Sequence, residues 1–330
     1  MDAGRFKTVE GKDMRALLKM TTLQLEITNA CQNQCSNCTR LVGHYPTWYM
    51  SMEQFKTAVD SMAGLHTMAP NCLVGIMGGE PLLHPHFEEI CEYARSKFTP
   101  EHLGLWTCLP KGKERYRELI VNTFGNVFIN DHSLNNIMHA PLLVAAHELK
   151  CLEDWQKWQL IDNCYAQEMW SASINPHGAF FCELAASLSM LLSKEPDGWP
   201  VEPGWWLRVP RDYNEQIDKY CMNCGFAMPL RKRASAEGID DISPAVYELL
   251  KSTSKKIKAG KCRIHDLTIH QDNYNLSAQP YKDLSYRDAI ANRYGLFLSN
   301  NERGYQSPHL FREFKQEVNS NGKFRKTAEV

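Results

Sequence analysis

A regular alternation of short apolar strands and amphipathic helices over residues 22–130 is the feature that most constrains the fold. Apolar or alternating runs predict strands at residues 22–27, 72–77, 103–107 and 126–129. Helical spacing of apolar residues predicts helices at 52–62, 86–97 and 113–124. Ser51 and Gln54 form a capping-box pattern before the first helix, and Gly64 is expected to end it. Strands alternating with helices imply a parallel sheet, which right-handed crossovers would curl into a full or partial barrel.

Length and charge narrow the class of protein. The 330 residues suffice for one large domain or a core with an appendage, and 37 basic and 38 acidic residues leave a charge of -1. This balance argues against a chain built mainly to coat nucleic acid or an anionic membrane. The longest apolar stretches, 141–146 and 184–192, are too short to span a bilayer, and the N-terminus has no apolar signal region. We therefore expect a cytoplasmic protein, in which twelve cysteines more often bind metal or act in catalysis than form disulfides.

The first cysteine motif directly follows the first predicted strand. Cys31, Cys35 and Cys38 have the spacing C-x3-C-x2-C. Three thiolates on one short loop can hold three corners of a cubane iron–sulfur cluster and leave the fourth iron open to a substrate or cofactor. The alternatives are a zinc site with a distant fourth ligand and a set of buried free thiols.

A second motif ends the second predicted strand. Gly78-Gly79-Glu80-Pro81 offers two glycines that permit close backbone approach and a carboxylate that can bind an ammonium group. Carboxyl ends of parallel strands share one edge, so this turn and the cysteine loop belong to the same site. Together the two motifs resemble the radical S-adenosylmethionine (SAM) superfamily.

That resemblance implies a chemistry. In the family, three cysteines so spaced bind a [4Fe-4S] cluster, and SAM chelates its unique iron. The Gly-Gly-Glu-Pro turn, here Gly78 to Pro81, holds the methionine part of SAM and would bring Glu80 near the amine. A reduced electron donor such as flavodoxin or ferredoxin supplies an electron, SAM is cleaved, and a 5′-deoxyadenosyl radical abstracts hydrogen from the substrate. The family often has an aromatic residue before the third cysteine, whereas this chain has Asn37, which puts adenine stacking from that position in doubt.

The resemblance covers roughly residues 20–135 and implies an α/β fold, a partial (β/α) barrel of the radical SAM type. Thr107 and Asn130 follow the third and fourth predicted strands, where polar side chains can contact the ribose or carboxylate of SAM. A polar residue at a strand end is also a common cap.

The later cysteines resemble the auxiliary-cluster region, SPASM or twitch, of many radical SAM enzymes. Cys164, Gly178 and Cys182 give C-x13-G-x3-C, one residue short of the usual spacing, and Cys221 and Cys224 give C-x2-C. Four cysteines are enough for a second [4Fe-4S] cluster. They would equally make a tetrahedral structural zinc site.

These patterns divide the chain into a radical SAM core at 1–150, a cysteine-rich auxiliary region at 151–235 and a C-terminal helical extension at 236–330. The turn-rich auxiliary region, with a strand and hairpin at 170–178, is expected to be held by metal rather than by a large core. Helices are predicted at 243–258 and 307–318, followed by a polar tail at 319–330. The basic residues are expected on solvated faces: Arg231, Lys232, Arg233, Lys255, Lys256 and Lys258.

The remaining cysteines, the histidines and three tryptophans can have structural roles as well as chemical ones. Cys72 and Cys91 lie on apolar faces and are expected in the core, whereas Cys108, Cys151 and Cys262 are candidate hydrogen donors or extra ligands. The histidines are expected to cap turns or to bond substrate: His84, His86, His132, His139 and His147. The aromatic residues of a Pro/Gly loop either form a lid or anchor the loop: Trp199, Trp205 and Trp206.

Three functions follow from the sequence. The first is a radical SAM enzyme that acts on a small polar molecule (a sugar, aminoglycoside or nucleoside) by epimerisation, dehydration, oxidation or C–C cleavage. The second is the same chemistry on a ribosomally made peptide or a protein side chain. About 21 residues precede the first strand, too few for a folded leader-binding module, which favours a small molecule. The third is a zinc-stabilised, non-catalytic binding protein.

Overall fold

The computed structural model describes residues 22–130, 132, 137–162, 164, 166, 171–208 and 210–268. Its strands are β1 (Thr22–Thr28), β2 (Leu73–Gly78), β3 (Leu103–Thr107), β4 (Asn126–Ile129), β5 (Met138–His139), β6 (Ser173–Asn175), β7 (Gly178–Phe180), β8 (Arg233–Ala234), β9 (Asp240–Ile242) and β10 (Cys262–Ile264). Its α-helices are α1 (Met52–Asp60), α2 (Leu65–Met68), α3 (Phe87–Lys97), α4 (Arg117–Thr123), α5 (Asp154–Asp162), α6 (Glu183–Leu192), α7 (Asn214–Tyr220), α8 (Pro244–Leu250) and α9 (Lys255–Lys258). Short 3-10 helices include Pro81–Leu83 and Cys221–Asn223.

A six-stranded, mostly parallel sheet organises the α/β fold. Its order is β4-β3-β2-β1-β6-β7, with β1 to β4 and β6 parallel and β7 antiparallel to β6. All four strands predicted between residues 22 and 130 are confirmed, as are the helices between them. Because the strands run parallel, the loops after β1, β2 and β3 lie at one edge of the sheet.

Strand β1 occupies the centre of the sheet and is buried along its whole length. Leu23, Leu25 and Ile27 belong to the main hydrophobic core, which also contains Phe55 of α1 and Ile90 of α3. The alternate residues of β1 are polar, and they lie on the opposite face because successive side chains of a strand point in opposite directions. Burial on both faces is the usual environment of a parallel sheet.

Two predicted helices have different bounds in the structure. The capping box at Ser51 is present, but α1 ends at Asp60, and Gly64 begins the short helix α2 with a φ of 81°. The helix predicted at 243–258 is broken into α8 and α9. The Ser254 hydroxyl accepts a hydrogen bond from Ile257 N–H at 3.1 Å and so caps a new helix.

The auxiliary region is packed into the main core, contrary to the expectation of a small metal-held unit. Strand β6 pairs with β1, and Phe180 and Leu184 are buried in the same core as β1. The tryptophans of its Pro/Gly loop serve as anchors, since the indole N–H groups of Trp205 and Trp206 donate to Oγ and O of Ser61 at 3.2 and 3.1 Å.

The end of β2 packs directly on the chain that leaves β1. Gly79 N–H donates to Thr28 O and Glu80 N–H donates to Ala30 O, both at 2.7 Å. A Cβ atom at Gly78 would lie 2.1 Å from Thr28 O, and one at Gly79 would lie 2.4 Å from Ala30 O. The two glycines are therefore required by a contact between two chain segments.

Among the described residues, we find no helix with the length and apolar character needed to cross a bilayer. The helix predicted at 307–318 and the tail at 319–330 lie outside the described residues.

We predict that Gly78→Ala is strongly destabilising. Gly78 has a φ of 152°, and the added methyl group would collide with backbone, so we expect a loss of roughly 3 kcal/mol or more in the free energy of unfolding. Gly112→Ala is the matched control, because Gly112 has a φ of 85° with nothing within 4 Å of the added Cβ. That control should lose about 1 kcal/mol in urea denaturation. Equal losses in the two variants would contradict the contact.

Candidate metal centre

The cysteine loop follows β1 at the carboxyl edge of the sheet. Burial raises the pKa of Cys31 and of Cys35 to about 12, and the charges of the neighbouring thiols, with Cys38 acting on both, add to the increase. Cys31 and Cys35 are therefore neutral thiols at neutral pH unless a bound cation drives their deprotonation. Binding of a metal by these two residues would release their protons.

Backbone amides point at several of these sulfurs. Cys31 Sγ accepts from Asn33 N–H at 3.4 Å, Cys182 Sγ from Leu184 N–H at 3.3 Å and Cys224 Sγ from Phe226 N–H at 3.5 Å. Hydrogen bonds to sulfur stabilise thiolates and tune iron–sulfur clusters. Cys72, a core cysteine as predicted, instead donates its S–H to a backbone carbonyl.

Residues 235–256, which we call the clamp, form hydrogen bonds to the cysteine loop (residues 31–38). Lys256 Nζ donates to Cys35 O at 2.8 Å, and Ser36 N–H donates to Ser235 O at 2.9 Å. Ile239 N–H donates to Ser36 Oγ at 2.9 Å. These bonds fix the backbone between the second and third cysteines of the motif.

Asn37 bonds to this clamp. Its φ of 48° lies in the left-handed region, which asparagine tolerates better than most residues. Its side-chain oxygen accepts from Asp241 N–H at 2.8 Å and its amide nitrogen donates to the Asp241 carboxylate at 3.2 Å. The Asn37 side chain, which directly precedes Cys38, is thus committed to the architecture of the cysteine loop.

A buried ionic cluster includes Asp240 and Lys256 of the clamp. His44, Asp240 and Cys262 bring their ligand atoms within 4.8 Å of one another, the single such group of three among the described residues. Lys256 Nζ lies 2.9 and 2.8 Å from the two carboxylate oxygens of Asp240, so an ammonium group already supplies a positive charge beside this carboxylate. Burial alone would raise the pKa of Asp240, but His44 and Lys256 together hold it below its usual value. The prediction that Lys256 lies on a solvated face is wrong, because its side chain is 2% exposed.

Glu80 connects the glycine turn to the end of β3. Its Oε1 accepts from the Thr107 hydroxyl at 2.6 Å and from Leu82 N–H at 3.1 Å. Its Oε2 accepts from the backbone N–H and from the thiol of Cys108, each at 2.9 Å. Pro81 begins the 3-10 helix that supplies the Leu82 amide.

Thr107 and Asn130 lie at the ends of neighbouring strands. Asn130 N–H donates to Thr107 O at 2.9 Å. The side-chain oxygen of Asn130 is buried and has no hydrogen-bond partner among the described residues. The structure therefore brings Thr107 into contact with Glu80 and leaves the Asn130 oxygen open to a donor.

The later cysteines also come together. Cys182 is the N-cap of α6, directly after the β6–β7 hairpin, and Cys224 follows the turn that begins at Cys221. Burial raises the pKa of Cys182 and of Cys224, and the charge of Cys164 adds to both increases. Cys164 thus lies near both Cys182 and Cys224, and Cys221 begins the turn that leads to Cys224.

A buried network links the two groups of cysteines. Arg40, two residues after Cys38, forms an ion pair with Glu26 of β1 and lies 3.3 Å from the carboxylate of Glu183. Glu183 directly follows Cys182, and Ser173 Oγ donates to Glu26 at 2.9 Å. Burial raises the pKa of Glu26 despite the opposing charge of Arg40. The residues of this network carry no motif, so sequence reasoning missed them.

The three candidate hydrogen donors occupy different places. Cys108 lies beside Glu80 and accepts from Gln32 Nε2 at 2.7 Å. Cys151 packs against a second hydrophobic cluster, away from the strand ends, and Cys262 lies beside Asp240 of the clamp. Of the three, Cys108 is at the site.

The predicted histidines mainly serve the fold. His84 Nε2 bonds Met50 O at 3.0 Å, and His139 Nδ1 bonds Ser36 O at 2.8 Å. His86 pairs with Glu89 on the surface, and His147 bonds Met222 O. The ring of His132 lies 5.3 Å from that of His139.

Comparison of the chain with protein-family models and with curated proteins finds no match. The resemblance to radical SAM enzymes therefore rests on the two N-terminal motifs.

We predict that Lys256→Met destabilises the protein and loosens the cysteine loop. Removing the ammonium leaves Asp240 buried without its cation, which costs about 3 to 5 kcal/mol of unfolding free energy. The matched control is Lys251→Met, which removes a lysine whose pair with Glu248 is solvent-exposed. Its unfolding midpoint in urea should equal that of the wild type. Equal midpoints for the two variants would contradict the structural role given to Lys256.

Proposed function

We propose that this protein is a radical SAM enzyme. Cys31, Cys35 and Cys38 would hold a [4Fe-4S] cluster, and Glu80 would bind the amino group of SAM. Such a cluster, when bound and reduced, supplies the electron that cleaves SAM to methionine and a 5′-deoxyadenosyl radical, which then abstracts hydrogen from a substrate. The electron would come from a small carrier such as flavodoxin or ferredoxin.

The contact between the two N-terminal motifs carries this proposal. The Gly78–Gly79 turn and the chain leading to Cys31 are joined by two backbone hydrogen bonds of 2.7 Å. A carboxylate that is 1% exposed therefore stands at a fixed position next to a loop of three thiols. Burial of a carboxylate is costly unless donors satisfy it, and these donors come from two different segments of the chain, the 3-10 helix after β2 and the exit of β3.

A cluster is favoured over a single zinc ion by the company of the two N-terminal motifs. The C-x3-C-x2-C loop and the Gly78–Pro81 turn follow neighbouring parallel strands and are joined by backbone hydrogen bonds. Three thiolates can hold three corners of a cubane cluster and leave one iron open to SAM, whereas a structural zinc site uses four protein ligands.

We assign the second group of cysteines to an auxiliary [4Fe-4S] cluster. Cys164, Cys182, Cys221 and Cys224 supply four sulfurs, and the amides of Leu184 and Phe226 point at two of them. The fold proposed for the whole is a partial (β/α) barrel of the radical SAM type, extended at β1 by the hairpin β6–β7.

The proposed substrate is a small polar molecule such as a sugar, aminoglycoside or nucleoside. The Thr107 hydroxyl at the end of β3 is committed to Glu80 and Leu109, but the Asn130 oxygen at the end of β4 has no partner among the described residues and can accept from the ribose of SAM or from a polar substrate. A site built to bond hydroxyl or amine groups discriminates strongly for ligands that carry them. The reaction that follows hydrogen abstraction would be an epimerisation, dehydration, oxidation or C–C cleavage.

We predict about eight irons per chain after anaerobic reconstitution, because two cubane clusters hold four irons each. The Cys31/Cys35/Cys38→Ala triple variant should retain about four, and Cys164/Cys182/Cys224→Ala should also retain about four. Cys151→Ala is the control, since Cys151 lies outside both groups, and it should keep the wild-type content. Iron and zinc are measured together by plasma mass spectrometry.

Each contrary result has a defined meaning. If the wild type holds about four irons and the Cys31/Cys35/Cys38→Ala variant holds none, the auxiliary cluster is overturned and the SAM site stands. Zinc without iron would overturn the proposed function.

A further inference from the structure

The carboxylate of Glu80 has no free acceptor position. An ionised carboxylate offers about four acceptor sites on its two oxygens. Oε1 accepts from the Thr107 hydroxyl and from Leu82 N–H, and Oε2 accepts from the N–H and the S–H of Cys108. An ammonium group that binds Glu80 must therefore displace one of these four donors.

Three of the donors are held by the chain. The Leu82 and Cys108 amides belong to the backbone of a 3-10 helix and of the β3 exit, respectively. The Thr107 hydroxyl also accepts from Leu109 N–H at 3.0 Å, which fixes its orientation. The Cys108 thiol is the weakest donor of the four, and rotation about a single side-chain bond moves it away without any backbone change.

The Cys108 thiol also lies between Gln32 of the cysteine loop and Glu80. Its sulfur accepts from Gln32 Nε2 at 2.7 Å, and Gln32 directly follows Cys31. Burial, followed by the charge of Glu80, raises the pKa of Cys108, so the group remains an S–H donor at neutral pH. A thiol thus bridges the cysteine loop and the carboxylate.

We propose that the Cys108 thiol holds the acceptor position on Glu80 that the ammonium group of an α-amino acid ligand takes, and that this ligand binds by displacing the thiol. The inference rests on the proposed function, in which that ligand is the methionine end of SAM. Exchange is favourable because an ammonium–carboxylate hydrogen bond is about twice as strong as a neutral one. Cys108 therefore sets the affinity for SAM, and ligand binding frees its S–H group from Glu80.

The experiment measures SAM affinity by equilibrium dialysis on the reconstituted full chain. Cys108→Ala removes the competing donor and should bind SAM about threefold to tenfold more tightly than the wild type. Cys108→Ser keeps a side-chain donor to Glu80 and should bind no more tightly than the wild type. Cys151→Ala, a thiol removed outside the site, should leave the affinity unchanged.

A second measurement observes the thiol itself. The S–H stretching band of Cys108, assigned by its loss in Cys108→Ser, should move to higher frequency when SAM is added, because the bond to the carboxylate is broken. This infrared readout does not depend on the stability of Cys108→Ala.

The outcomes separate the two proposals. If SAM binds but Cys108→Ala gains no affinity, or if the S–H band is unmoved by SAM, the displacement of Cys108 is overturned and the proposed function stands. If SAM binds to no variant of the iron-loaded protein, both are overturned.

Discussion

The contact between the chain leaving β1 and the glycine turn after β2 is the constraint on which the site depends. Two backbone hydrogen bonds of 2.7 Å join them, and the approach is so close that a side chain at Gly78 or Gly79 would collide with carbonyl oxygens. The contact orients Glu80 toward Thr107 and the thiol loop toward the same edge of the sheet. The two motifs therefore act as one structural unit although about 40 residues separate them.

Buried charges hold this unit from both sides. Asp240 and Lys256 form a buried pair next to the cysteine loop, and Arg40, two residues after Cys38, pairs with Glu26 of β1. Such pairs are costly to desolvate and add little stability by themselves. Their effect here is positional, since Lys256 also bonds Cys35 O and Arg40 reaches toward Glu183 beside Cys182. The loop is thereby fixed relative to both the sheet and the second group of cysteines.

Sequence reasoning predicted what local periodicity encodes. The strands from residue 22 to 129 and the capping box at Ser51 follow from side-chain spacing and were recovered. The break in the helix predicted at 243–258 was not predicted. It arises because Ser254 caps a second helix, and the spacing of apolar residues does not reveal such a cap. Buried Lys256 was assigned to solvent, since its partners Asp240 and Cys35 are distant in sequence. Pairing of β6 with β1 likewise depends on contacts that no single segment reveals.

Formation of 5′-deoxyadenosine tests the central claim most directly. The reconstituted protein is incubated anaerobically with SAM and dithionite, and the nucleoside product is quantified by liquid chromatography and mass spectrometry. Our account predicts 5′-deoxyadenosine and methionine in equal amounts from the wild type, and none from Cys31/Cys35/Cys38→Ala. An iron-loaded wild-type protein that leaves SAM intact under these conditions would contradict it.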